Sequence, residues 1–507
     1  MRTTLMMHFW EAGSLVFLCL LACYGLYRYY LLWLYYRVKS RRPIAPPAPS
    51  SWPSVTIQIP IYNERYVIER TIRSACEVDY PTQQLEIQLL DDSTDETSAI
   101  IVRTILPYQQ RGLRVVHLKR AHRHAYKAGA LAEGLRHAQG DFVAVFDADF
   151  VIPRDFLIRA MPFFTDPQVG MVQARWGHVN APYSLLTRTQ AALLDGHFVI
   201  EQVARHQAGR FFNFNGTAGV WRTRAIEASG GWQTDTLTED LDLSYRAQLA
   251  GWKGIFLADL VAPAELPVEM DAFKSQQYRW TKGSIQTAKK LLPAVLRSPL
   301  PWSIKWEAFC HLTAYFSYPI GLLASLGVAP MLMGTRSHPH HWPVDALWLV
   351  LLAIPGMCFY LCAQHELFPR FWKRVLLVPW VVVVGVGMSV NNAVAVLDAL
   401  LGGRSEFLRT PKFCVESQHD RWDHKQYRAT GTATAWVELA LALYFGIGCL
   451  QALQRHLFLS VPSLVIFCAG FGYVGGLSFW QRWALSMDAL RSSPAPATRL
   501  EDSTLPA

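Results

Sequence analysis

Hydrophobic positions follow three regimes along the chain. Near Ser14 to Tyr36 they run almost unbroken, rich in Leu, Trp and Tyr, and stop at the basic cluster Arg37, Lys39, Arg41 and Arg42. From Val55 to about Leu292 they break into short β-type runs, VTIQIP, LEIQLLDD, RVVHLK, DFVAVFDADF and VGMVQAR, which alternate with helical stretches. Long apolar runs then return near Phe309 to Met333, Val344 to Ala363, Val375 to Leu400, Trp436 to Leu453 and Leu457 to Trp480. The middle regime predicts one α/β domain with a mainly parallel sheet, placed between membrane elements.

The flanks set the topology. A secretory signal would end at small residues, whereas the first run meets aromatics and basic residues, so it reads as an uncleaved anchor with its basic flank in the cytoplasm. The stretch RRPIAPPAPSSWPS follows as a linker. Among the later runs, Val375 to Leu400 is the exception. With the α/β domain in the cytoplasm, the first two C-terminal runs return at HELFPRFWKR, and a full crossing by the third would export Arg404 to Arg428, which carries six Lys or Arg. An interfacial or re-entrant helix is therefore expected there, with Asn391, Asn392 and Asp398 facing headgroups or protein. The expected organisation is an anchor over 1–42, a linker over 43–54, the α/β domain over 55–292, a membrane region over 293–484 with four spanning helices, and a disordered tail over 485–507.

Composition agrees. A chain of 507 residues that is 51% hydrophobic is long for one domain and apolar for a soluble protein. Its net charge of +9 gathers beside the apolar runs, which favours membrane topology and anionic ligands over a nucleic-acid partner. The nine cysteines are scattered, mostly within apolar runs, with no disulfide or zinc spacing. The run HPHHW, with His338, His340 and His341, reads as an exposed loop.

Chemistry concentrates at the expected strand ends. In VFDADF, Asp147 and Asp149 are two residues apart, so strand alternation would turn both to one side, where they could hold a hard divalent ion together with phosphate oxygens and water. IQLLDDSTDET ends in Asp91 and Asp92, and IQIPIYNER in Tyr62, Asn63 and Glu64, groups able to hydrogen-bond and stack on a nucleoside. FKSQQYRWTKGS brings Gln276, Arg279 and Trp280, an arginine fork for a diphosphate and a flat face for a sugar. In TLTEDLDLSYRAQ, Thr236 and Glu239 have capping-box spacing, and Asp242 can pair with Arg246. Neither a P-loop nor a GxGxxG fingerprint is present, so phosphate would be held by a metal and by cations.

In order, Asp91-Asp92, Asp147-Ala148-Asp149, Thr238-Glu239-Asp240 and Gln276-x-x-Arg279-Trp280 resemble the motif set of processive, membrane-embedded family 2 glycosyltransferases, the cellulose synthase-like group. YKAGAL, FNGTAGVWR and FLRTPK agree, the pair FNGTAGVWR and QQYRW looking most like the A and C groups of glucomannan and glucan synthases. The resemblance implies a GT-A fold, a nucleotide-diphosphate sugar and Mg²⁺ or Mn²⁺. It implies that Tyr62, Glu64, Asp91 and Asp92 contact the nucleoside, with Lys127 near the diphosphate and Asp147 and Asp149 on the metal and donor. Asp240, beside Glu239, would be the general base. Gln276 and Arg279 would steady the leaving group, Trp280 with Asn215, Gly216 and Thr217 would meet the acceptor, and Phe407, Thr410 and Lys412 would belong to a gating loop within 404–428. Arg409 stands where that loop usually has Val.

The resemblance thus implies an inverting hexosyl transfer from UDP-glucose or GDP-mannose to a growing β-glycan, with secretion of the polymer. No domain is expected after the last helix, which leaves no place for the cyclic-di-GMP sensor of bacterial cellulose synthases. A glycolipid glycosyltransferase adding one sugar to ceramide or diacylglycerol is the alternative, and a non-catalytic membrane scaffold is a second rival that the retained acidic motifs disfavour. Short loops suggest a bacterial inner membrane. Membrane lipids are expected neighbours, and the sequence names no partner subunit.

Overall fold

The computed structural model describes residues 2–327, 354–403, 407–458 and 460–492. Its centre is a seven-stranded sheet. The strands are β1 (Val55–Ile61), β2 (Leu85–Asp91), β3 (Arg114–Lys119), β4 (Phe142–Val145), β5 (Val169–His178), β6 (Gly219–Arg222) and β7 (Lys253–Ala264), in the order β3-β2-β1-β4-β6-β5-β7. β1 runs parallel to β2 and β4, β2 to β3, and β5 to β7, while β6 is antiparallel to both of its neighbours. The inner parallel strands β1, β2 and β4 are buried along nearly their whole length, as their Val, Ile and Leu runs require, while β3 and β7 keep partly exposed positions. Strand order reverses between β1 and β4, so their carboxyl ends frame a crevice, the usual ligand position in an open α/β sheet.

Two apolar layers close the sheet. On one face Ile57, Ile59, Ile72, Ile87, Ile101, Phe146 and Phe156 form a continuous core. On the other, Leu131, Val143, Phe198, Phe214 and Trp221 pack with Tyr27, Leu31, Leu34 and Tyr35 of the N-terminal helix Arg2–Val38, so the anchor is docked on the domain. The helix Met270–Arg297 runs past residue 292, the expected domain edge, and is tied to the C-terminal helices. Arg482 forks onto Asp271 at 2.6 and 2.9 Å, and the fully buried Lys274 pairs with Glu438 at 2.5 Å.

Val16–Val38, Thr434–Gln454 and Val461–Met487 are long and apolar enough to cross a membrane. The run Val375 to Leu400 forms two helices, Leu377–Gly387 and Ser389–Leu401, in a pair bent by 44°. Asn391 and Asn392 there are buried, and Asn391 donates to the Lys274 carbonyl, so both face protein. Parts of the runs Phe309 to Met333 and Val344 to Ala363, the HPHHW segment and the tail from 493 lie outside the described residues.

Candidate active site

The crevice past β1 and β4 gathers most of the motif residues. Tyr62, Glu64, Asp92, Lys127, Asp147, Asp149, Asn215, Gly216, Glu239, Asp240, Gln276, Arg279, Trp280, Phe407, Thr410 and Lys412 line one cavity. They come from strand ends, helix starts and a loop far apart in sequence.

Local structure differs from sequence expectation at several of them. β4 ends at Val145, so Asp147 and Asp149 sit on a turn beyond it rather than on alternating strand positions. The turn is held from behind: the Asp147 amide donates to Thr217 Oγ1 at 2.8 Å, and the Thr71 hydroxyl donates to the Ala148 carbonyl at 2.6 Å. Thr217 is therefore a buried support and lies outside the cavity lining. Asp91 is likewise fully buried and outside the lining, its carboxylate accepting from Ser93 N (2.8 Å) and Ser98 Oγ (2.6 Å) and meeting His117 Nε2 at 2.8 Å. Burial would raise its pKa, but those bonds outweigh it and hold the carboxyl at about 2. Only Asp92 of the acidic pair faces the crevice, forked by Arg120.

The helix Glu239–Leu249 starts at Thr238, not at a capping box: Thr238 makes no side-chain cap bond, and the buried Thr236 hydroxyl has no partner among the described residues. Packing sets this start. Gly283 of the helix Met270–Arg297 lies so close to Thr238 that a Cβ would stand 2.5 Å from the threonine methyl. Gln286 accepts from the Leu237 amide at 2.9 Å. The contact brings the TED segment against the helix that carries Gln276, Arg279 and Trp280. Asp242 faces inward, fully buried between Arg246 (Nε–Oδ2 2.8 Å) and Lys290 (2.8 Å). Asp242→Ala is expected to cost about 3 kcal/mol of stability by removing the buried carboxylate that Arg246 and Lys290 share, although Lys290 keeps Asp235 and Arg246 its carbonyl partners. A fall in melting temperature, with turnover per folded molecule retained, checks this structural role.

Asp240 points the other way, into the cavity, with Oδ1 accepting from the Leu241 amide at 2.8 Å. Burial and the neighbouring Glu239 charge raise its pKa to about 7, against the opposing pull of Lys127. Burial also raises Glu239. Opposite them, Gly216 has φ +79°, and a Cβ there would come within 2.9 Å of Asp240 Oδ2 and 3.3 Å of Lys127 Nζ, so the position needs glycine on both counts. Asn215 is fixed by Gln202 (2.6 Å) and His197 (2.9 Å).

Each aspartate of the Asp147-Ala148-Asp149 turn is neutralised by a lysine. Lys127 Nζ lies 2.6 Å from Asp147 Oδ1 and also donates to the Gly216 carbonyl at 2.9 Å. Lys412 Nζ lies 2.8 Å from Asp149 Oδ2. The second lysine arrives on the FLRTPK segment, which is threaded into the crevice: Arg409 forks onto Glu64 at 2.8 and 2.5 Å, and Arg279 donates to the Leu408 carbonyl and to Thr410 Oγ1 (2.9 Å). Glu265, which sequence reading missed, anchors the segment by accepting from the Phe413 and Cys414 amides at 2.9 and 2.8 Å. Arg120 and Arg123 were also missed, although the basic run KRAHRHAYK before Lys127 marked them. Among the described residues no group of three or more His, Cys, Asp or Glu is placed to hold a metal ion. The Asp147 and Asp149 carboxylates nevertheless offer the hard oxygen donors that suit Mg²⁺ or Mn²⁺, whose remaining shell water and a bound phosphate group would complete.

Residues 53–283 match the family described as glycosyltransferase like family 2. The chain is 44% identical over 254 residues to glucomannan 4-beta-mannosyltransferase 7 of Arabidopsis thaliana, covering 49% of this chain and 46% of the relative. It is 44% identical over 250 residues to probable glucomannan 4-beta-mannosyltransferase 9 of Oryza sativa subsp. japonica, covering 48% and 47%. The chain thus spans about half the length of these curated relatives. A mannosyltransferase from Pyrobaculum calidifontis, solved with GDP-Man and Mn²⁺, superposes with a TM-score of 0.56 at 22% identity, covering 78% of this chain and all of that one, a likeness of fold. Residues 53–283 therefore form a family 2 glycosyltransferase domain of GT-A fold, cellulose synthase-like in its motifs and flanked by apolar helices.

Proposed function

We propose that the chain is an inverting glycosyltransferase that moves a hexose from a nucleotide-diphosphate sugar onto a growing β-glycan. One observation carries this reading: the elevated carboxyl of Asp240 shares a single cavity with the Asp147–Lys127 pair, Arg279 and Trp280. The mannosyl transfer named for the relatives supports GDP-mannose as the donor, with UDP-glucose as its competitor.

The residues divide the chemistry between them. Asp147 and Asp149 would hold Mg²⁺ or Mn²⁺, which when bound supplies positive charge to the diphosphate oxygens. Lys127 and Arg279 neutralise the charge that develops on the leaving diphosphate. Asp240 Oδ2 accepts the proton of the acceptor hydroxyl as that oxygen attacks the anomeric carbon from the face opposite the leaving group, inverting it. Trp280 offers the acceptor sugar its face. For the donor to reach Asp149, Lys412 withdraws and the Arg409–Glu64 fork opens, so the FLRTPK segment acts as the gate. The domain lies on the side of the membrane that supplies nucleotide sugars, and the apolar helices carry the polymer outward. The plant origin of the curated relatives gives no support to a bacterial inner membrane.

Product size tests the reading. Purified protein in lipid nanodiscs, given labelled GDP-mannose or UDP-glucose with Mn²⁺, is expected to make a polymer digested by a β-mannanase or β-glucanase. A product extracted wholly into chloroform would sink it in favour of single-sugar transfer to a lipid.

A further inference from the structure

The cavity contains a cation that the transfer chemistry above leaves unused. Arg123 is half-buried at the crevice and stands with Cζ 3.5 Å from the centroid of the Tyr62 ring and 4.8 Å from that of Tyr126. The first distance is that of two stacked planar groups in contact. Among the described residues its guanidinium takes no hydrogen-bond or ion-pair partner, in contrast to Arg120 three residues earlier, which is spent on Asp92. The fork and its five N–H groups are available.

The backbone holds both sides of this slot in conformations that L-residues avoid. Asn63, next to Tyr62, has φ 55°, fixed by its amide donating to Ser93 Oγ at 2.9 Å and by its side-chain oxygen accepting from the Thr94 amide at 2.9 Å. Ala125 and Tyr126 follow Arg123 with φ 57° and 50°. Consecutive left-handed non-glycine residues persist only where the surroundings over-determine them, and they cluster at ligand clamps. The stack continues from Tyr126 to Phe407 (5.9 Å) and Arg279 (4.4 Å to the Phe407 centroid), so one aromatic and guanidinium column runs from the Tyr62 end of the crevice to the residue assigned to the diphosphate.

We propose that Arg123 is the base-reading residue of the donor site and selects guanine over uracil. The inference rests on the glycosyl-transfer reading above. A planar guanidinium on Tyr62 marks the place of a planar heterocycle. A base that takes the ring face displaces the guanidinium to the base edge, where its paired N–H donors match the adjacent O6 and N7 acceptors of guanine. Uracil carries isolated carbonyl oxygens and offers no such pair.

Equilibrium binding of GDP and of UDP to the full chain in nanodiscs with Mn²⁺, for the unaltered protein, Arg123→Ala and Arg123→Lys, tests the assignment. The unaltered chain is expected to prefer GDP. Arg123→Ala is expected to weaken GDP by roughly tenfold or more while moving UDP by less than about threefold. Arg123→Lys, which keeps the charge and loses the fork, is expected to behave like Arg123→Ala. Equal weakening of both nucleotides, rescued by lysine, would assign Arg123 to the phosphates and overturn the proposal, as would unchanged binding or a preference for UDP in the unaltered chain. Failure of the unaltered chain to bind either nucleotide overturns the glycosyl-transfer reading itself, and the base-reading role with it. A melting temperature near that of the unaltered chain shows that the variants are folded.

Discussion

Asp240→Asn is expected to lower transfer by about 10²–10⁴-fold while leaving nucleotide binding within a few-fold of the unaltered protein, because a general base acts on the transition state and hardly at all on the bound donor. The amide is nearly isosteric and keeps the bond from Leu241, but it cannot take the acceptor proton. The pH profile gives a second readout. Asp240 is raised to about 7, so its basic form predominates only above that pH. In the unaltered enzyme kcat/KM should therefore rise about tenfold per pH unit below roughly 7 and level off above it. The residual activity of Asp240→Asn should lose this limb, and unchanged turnover in the variant would remove Asp240 from the role of base.

Asp147→Asn and Asp149→Asn, made singly, are each expected to reduce transfer by about 10³-fold and to abolish the dependence of nucleotide binding on Mn²⁺. The argument is one of charge. Both carboxylates are neutralised by lysines, Asp147 by Lys127 at 2.6 Å and Asp149 by Lys412 at 2.8 Å. A divalent cation together with a diphosphate can replace an ammonium group only where the carboxylate charge is present, and the stabilisation of leaving-group charge at stake is several kcal/mol. The two variants should differ in the gate. Asp149→Asn also removes the Lys412 ion pair, one of the ties that hold the FLRTPK segment, measurable as faster proteolysis near it, whereas Asp147→Asn leaves that pair in place; the bonds to Glu64 and Glu265 remain in both. Metal-dependent nucleotide binding that survived in both variants would move the metal elsewhere.

Much of this was legible in the chain itself. Short Val and Ile runs ending in acidic residues specify buried parallel strands with polar carboxyl ends, since a strand covered on both faces has no polar stripe and its functional groups can only sit at its end. That logic located the region of Tyr62, Asp92 and Asp147. Asp242 with Arg246 was also legible, because partners four residues apart meet on any helix. Local pattern misled where a residue's orientation depends on what packs behind it. Asp91 and Asp92 are equivalent in sequence, yet the pleat turns one into a cage of Ser93, Ser98 and His117 and the other into the crevice. Thr236 and Glu239 had cap spacing, but the close approach at Gly283 moved the helix start to Thr238.

The sequence by itself determined the alternation of strands and helices, the apolar flanks and the order of the acidic motifs, because each of these depends on spacing within a single element. Only the tertiary structure decided which carboxylates face the ligand, that Lys412 and Arg409 from beyond the bent helix pair lie on Asp149 and Glu64, and that Arg123 occupies the face of Tyr62. Those contacts join residues up to 345 positions apart. Their geometry follows from sheet order and helix packing, which no local periodicity encodes.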